Sequence, residues 1–144
     1  MSKKSAKIAA LIERHRGKEL SPYYLGYFEL FNAQLFYESH DVLEELWLPI
    51  RKESDGDFYK GLIQLAGAFV HLQKNRFRPS AALFKLARTN LEKYPSHHEQ
   101  LDLVQLVGLI EEWLARLEEN DFCENPLAHC STPKLSLLCD VGEN

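Results

Sequence analysis

Gly61-Leu62-Ile63-Gln64-Leu65-Ala66-Gly67-Ala68-Phe69-Val70-His71 decides how this chain folds. The run is apolar around nearly the whole circumference of a helix, and a helix without a polar face must be wrapped by others to escape water. It therefore belongs at the centre of a bundle. One stripe interrupts the apolar surface: Gln64, Ala68, His71 and Asn75 recur at i, i+4, i+7 and i+11, with Gly67 beside them. Polar groups on that stripe alternate with side chains small enough to admit another helix or a ligand.

Outward from this run the same period recurs, and no sustained alternation of strand type appears. Six helices are expected. The first spans about 5–16, with Ile8, Leu11 and Ile12 on one side and Gly17 as its stop. The second starts at Ser21-Pro22, a capping serine followed by a first-turn proline, and runs to about Asn32. The third covers about 35–48 and ends at Pro49. The central helix covers about 57–75, capped by Ser54 or Asp57, and the fifth runs from Pro79 to about Tyr94. Ser96 and Glu99 form a capping-box pattern for the sixth, which should continue to about Glu119. The expected fold is all-α, a compact bundle of five to six helices over 1–120, with an extended tail over 121–144 partly packed on it. Leu135, Leu137 and Leu138 are the tail residues suited to that packing, and the last few residues are expected to be mobile. Tyr23, Tyr24, Tyr27 and Phe28 form an aromatic group that fits either core or a dimer surface.

With 144 residues, 45% of them hydrophobic and 26% charged, the chain has the composition of one globular domain. A net charge of -4 offers no concentrated basic face, so nucleic acid is not expected as a partner. The N-terminal lysines and arginines read as a solvated face, since the opening lacks the apolar core of a secretory signal. No stretch reaches the roughly 20 apolar residues that span a bilayer. Three cysteines, Cys123, Cys130 and Cys139, make an odd set outside the helical body, which points to a reducing cytoplasm and not to a disulfide framework.

The third helix carries the chemistry that faces the stripe. At 100° per residue, Phe36, His40, Leu43 and Trp47 fall within about 60° of one another, so His40 is expected inside the apolar face and buried. Glu44 follows one turn later and can meet it at i,i+4, while Glu38, Asp41 and Glu45 point further toward solvent. A buried imidazole or amide without a partner costs on the order of 1–3 kcal/mol. These groups should therefore satisfy one another, with His40 and Glu44 facing Gln64 and His71 across a small pocket walled by Tyr37 and Trp47. His15 and the pair His97-His98 read as surface residues, the pair in the first turn of the sixth helix. The tail set Cys123, His129, Cys130 and Cys139 matches no standard zinc spacing.

The run Leu30-Phe31-Asn32-Ala33-Gln34-Leu35-Phe36-Tyr37-Glu38-Ser39-His40-Asp41-Val42-Leu43-Glu44-Glu45-Leu46-Trp47, with Gly61-Leu62-Ile63-Gln64-Leu65-Ala66 and His71-Leu72 after it, resembles domain-of-unknown-function family 309. The likeness covers about 28–94, and Pro133-Lys134-Leu135 is similar to a proline-led apolar ending in such proteins. This chain departs in having Gln34 where glycine is usual, Ser39 for alanine and Asp41 for glutamate. The first change removes the residue best suited to a positive-φ entry into the third helix. The resemblance implies a multi-helical fold and no activity, and it adds weight to Glu38, His40, Glu44, Gln64 and His71 as one unit.

Three functional readings follow. In the first, a pocket formed by Glu38, His40, Asp41, Glu44, Trp47, Gln64 and His71 binds a small molecule or a protein partner. In the second, a divalent metal held by His40, Glu44 and His71 serves a hydrolase-like enzyme with Glu38 or Asp41 as general base, although the spacing lacks the specificity of His-Glu-x-x-His. In the third, the cluster only fixes helix register in an interaction protein.

Overall fold

The computed structural model describes residues 3–17 and 19–138. Six helices run in order: α1 (Lys3–His15), α2 (Pro22–Asn32), α3 (Phe36–Ile50), α4 (Gly56–Gln73), α5 (Phe77–Leu91) and α6 (Leu103–Glu119). Between α5 and α6 lies a two-residue antiparallel pair, β1 (His97–His98) and β2 (Leu101–Asp102), and a 3-10 turn at Pro126–Ala128 follows α6. The protein is all-α apart from that short pair.

The all-round apolar run becomes the axis of the bundle. Leu62, Leu65, Ala66, Ala68, Phe69 and Leu72 of α4 are fully buried. The helix packs on α5 and α3, while α2 packs on α3, α1 on α2 and α6 on α5. Gly61 allows the close approach of α5, because a Cβ there would stand 2.9 Å from Leu91 Cγ. Phe69 sits at the meeting point, its ring against Phe31 of α2, Phe36 of α3, Phe84 of α5 and Trp113 of α6. Tyr24, Tyr27 and Phe28 belong to this core, and Tyr23 is half-buried against it.

Three helices end in the same way. The N–H of Leu35 reaches the Leu30 carbonyl while that of Gln34 reaches Phe31, and the pattern repeats at the ends of α4 and α6. These are Schellman caps, whose left-handed residue is usually glycine. Here it is Gln34 (φ 65°), Asn75 (φ 58°) and Asp121 (φ 54°). Asn and Asp tolerate this region, but glutamine has no such compensation and gives up roughly 1–2 kcal/mol. The turn into α3 thus forms without a glycine, held by the cap and by Gln73 Nε2 donating to the Gln34 carbonyl at 3.3 Å.

Several boundaries differ from expectation. Pro49 does not end α3, which continues to Ile50, since a proline in the last turn forfeits one hydrogen bond without stopping the chain. The N-cap of α4 is Asp55 without a side-chain bond, and not Ser54 or Asp57. Helix α5 starts two residues before Pro79 and ends at Leu91, short of Tyr94. Ser96 and Glu99 do not form a capping box. Glu99 and Gln100 instead occupy positive φ (49° and 60°) as the turn of the β1–β2 pair, and Asp102 caps α6 by accepting from the Gln105 N–H at 3.0 Å.

Beyond α6, Leu135 and Leu137 are buried while Leu138 is 40% exposed. Asn32, at the end of α2, holds this strap like a strand partner: its Nδ2 donates to the Leu135 carbonyl (2.8 Å) and its Oδ1 accepts the Leu135 N–H (2.7 Å). Cys139 and the expected mobility of the last residues lie outside the described residues.

Candidate functional site

The face that α3 turns inward keeps Phe36 and Leu43 of the expected stripe but takes Ser39 and Val42 in place of His40 and Trp47. Phe36, Ser39, Val42 and Leu43 are its buried residues. His40 is half-buried, its side chain 30% exposed, where full burial was expected. A serine reads as polar, yet its small volume suits the tight contact between helices. Its Oγ is buried and has no hydrogen-bond partner. Ser39→Ala, the residue usual in the resembling family, should therefore stabilise the fold by about 1 kcal/mol. That would raise Tm by about 3 °C in thermal unfolding. An unchanged or lower Tm would show that the hydroxyl is satisfied.

His40 is held by its own helix. Its Nδ1 lies 3.2 Å from Asp41 Oδ1, its Nε2 3.5 Å from Glu44 Oε2, and its ring stacks on Tyr37. Gln64 is engaged by α5, its Oε1 accepting from Asn90 Nδ2 at 2.8 Å. Local bonds on α3 thus engage His40, and a bond from α4 to α5 engages Gln64. On the cavity side, the Nδ1 of His71 is buried without a partner.

A cavity of about 310 Å³ nevertheless brings much of the constellation together. Tyr37 and His40 of α3 line one wall, and Ile63, Gln64, Gly67, Val70 and His71 of α4 form the floor. Leu83 of α5 closes the far side, with Lys74 and Arg76 of the intervening turn at the rim. The Schellman cap at Asn75 folds that turn back and carries both cations there. Ala68 belongs to the α5 contact instead, its carbonyl accepting from Ser80 Oγ at 2.8 Å. Glu38, Asp41, Glu44 and Trp47 do not line the cavity, and Trp47 Nε1 is buried without a partner.

Burial, with Arg76 and Lys74 nearby, holds the His71 imidazole below its ordinary value of 6.5. The sign follows from linkage: the unfolded chain takes the proton more readily, so this contribution is complete above about pH 6.5 and lost as pH falls below it. His71→Gln should flatten the decline in urea-unfolding stability between about pH 7 and pH 5.5. An identical pH dependence in the variant would contradict this.

His40, Asp41 and Glu44 offer ligand atoms within 4.8 Å of one another, and His71 is not a member of that group. The metal set read from the sequence, His40, Glu44 and His71, therefore does not converge; Asp41 stands where His71 was expected, because the cluster forms along α3 and not across the cavity. A second group, Asp55, His98 and Glu99, was missed. His98 Nε2 meets Asp55 Oδ1 at 2.9 Å and its ring lies edge-on to Phe58. The capping-box reading had placed His98 on a solvated helix turn. His15 is likewise half-buried, 3.2 Å from Glu29 Oε1. Lys74, Arg76, Leu83 and Asn90 were also missed. Only the Lys74-Asn75-Arg76 run at the end of the polar stripe could have signalled the first two. In the tail, Cys123 is exposed and Cys130 half-buried, and His129 pairs with Glu124 at 3.6 Å.

Fold and cavity together define a small all-helical protein with an imidazole-bearing cavity against its central helix. Residues 24–83 match the family described as Domain of unknown function (DUF309), so the resemblance carried by Phe31, Asn32, His40, Glu44, Gln64 and His71 holds over that segment. The chain is also similar to an uncharacterized protein of Aquifex aeolicus (strain VF5), 27% identical over 88 residues, which is 61% of this chain and 26% of that protein. The match thus spans about a quarter of the relative's length. No solved structure matches the chain. No described helix is long and apolar enough to cross a membrane.

Proposed function

We propose that this is a cytoplasmic binding module that takes a small organic molecule in the cavity between α3, α4 and α5. The observation that carries this is the lining itself: His40, Gln64 and His71 share one apolar-floored cavity of about 310 Å³, at the lower end of small-molecule sites. The unpaired cysteines Cys123 and Cys130 fit a reducing compartment. A ligand that binds only the folded state raises Tm by mass action. Thermal unfolding against a panel of small carboxylates, phosphates, amines and neutral alcohols should show a rise for at least one class. Val70→Phe, which fills the floor from a half-buried position, should abolish it. No rise with any class, or a rise that persists in Val70→Phe, would overturn the reading. A protein partner seated on the same face would compete with that ligand.

The grouping of His40, Asp41 and Glu44 favours a second reading, a divalent ion at the rim supporting hydrolase-like chemistry. Equilibrium dialysis of tag-free protein against zinc or manganese, followed by metal analysis, tests it. Stoichiometric metal that disappears in His40→Ala supports the site, and its absence removes the enzyme reading.

A further inference from the structure

We infer that the cavity selects an amphipathic anion, a carboxylate on an aliphatic body, and that a polar relay from α5 presents Gln64 to it as a hydrogen-bond donor. The inference rests on the ligand-binding reading above and adds the chemical class. Asp57 Oδ2 holds the Lys93 ammonium at 2.8 Å, and Lys93 Nζ donates to Asn90 Oδ1 at 3.1 Å. An ammonium has only donors, so the Asn90 amide must present its oxygen to Lys93 and its Nδ2 to Gln64 Oε1, 2.8 Å away. The orientation of Gln64 is thereby set: its oxygen is consumed and its Nε2, which has no partner among the described residues, is the atom left to bind.

The rim repeats the same polarity. Lys74 and Arg76 are exposed and form no ion pair among the described residues, in a chain whose net charge is -4. Two free cations and an oriented amide N–H are all donors, while Ile63, Gly67, Val70 and Leu83 are apolar. Charge-assisted bonds from donors of this kind to an anionic head are roughly twice as strong as neutral ones. An aliphatic body covers the floor. A cationic ligand would face Lys74 and Arg76, and a neutral alcohol would leave both uncompensated. The carboxylates of Asp41 and Glu44 do not line the cavity and lie against the ring nitrogens of His40.

Isothermal titration of the full chain with sodium octanoate, octan-1-ol and octylammonium chloride separates the alternatives. Octanoate should bind at least about tenfold more tightly than octan-1-ol, with octylammonium weakest. Lys74→Gln with Arg76→Gln, both at exposed positions, should erase the preference. Gln64→Glu keeps the bond from Asn90 but replaces the free donor with a charge, and should lower octanoate affinity by about tenfold. Equal or tighter binding of octan-1-ol or octylammonium would overturn the anionic selectivity and leave the ligand-binding reading intact. If none of the three binds, this inference fails, and the wider panel decides the cavity reading separately. An octanoate affinity unmoved in Gln64→Glu would remove the relay.

Discussion

Phe69→Ala is expected to cost about 3–5 kcal/mol, enough to consume much of the stability of a domain of this size. The side chain is fully buried and its ring meets aromatic partners from four other helices. Ring centroids lie 5.6 Å away at Phe31, 5.1 Å at Phe36, 5.2 Å at Phe84 and 5.1 Å at Trp113. Deleting the ring removes its transfer free energy, four aromatic contacts and the filling of a space that rigid neighbours cannot close. Urea unfolding followed by far-UV circular dichroism should give a markedly lower midpoint, or no folded protein at 37 °C. Phe69→Leu keeps most of the volume and should recover a large part of the loss. A cost below about 1.5 kcal/mol for alanine would mean that the helices do not meet at this residue.

Asn32→Ala is the second large effect, with an expected loss of about 2–3 kcal/mol. One asparagine amide satisfies both backbone groups of Leu135, at 2.8 and 2.7 Å, as a neighbouring strand would. Without it these groups lose their partners, while the Leu138 N–H still reaches the Gln100 carbonyl at 2.7 Å. Leu135 then loses its hold on the core. Hydrogen exchange should show lost protection at Leu135 and faster proteolysis after Pro133, with α3 and α4 little changed. Asn32→Asp should recover only the bond that its oxygen accepts. Unaltered exchange at Leu135 would refute the clamp. The asparagine that forms part of the family resemblance is thus explained by the tail it holds, and not by the cavity.

Much of this architecture is legible in local pattern. The all-round apolar α4, the Ser21-Pro22 start of α2 and the Glu119 end of α6 are consequences of periodicity and capping, which depend on near neighbours in the chain. The candidate site was legible by half. His40, Gln64 and His71 do reach one cavity, because a helix face can be read from spacing. Where each finds its partner could not be read in that way. His40 bonds within α3, Gln64 bonds to Asn90, 26 residues later, and His71 Nδ1 bonds to nothing.

The amino-acid sequence alone determined the helices, the centrality of α4 and the membership of a polar group in the cavity wall. Tertiary structure alone decided that Ser39 is buried in place of His40, that Asp41 and not His71 joins Glu44 beside the imidazole, and that Lys74 and Arg76 reach the rim. The physical reason is the difference in range. Helical period and caps act within a turn, whereas the rotation of one helix against another is set by the volumes that meet at the contact, and a small serine wins that position over a larger histidine.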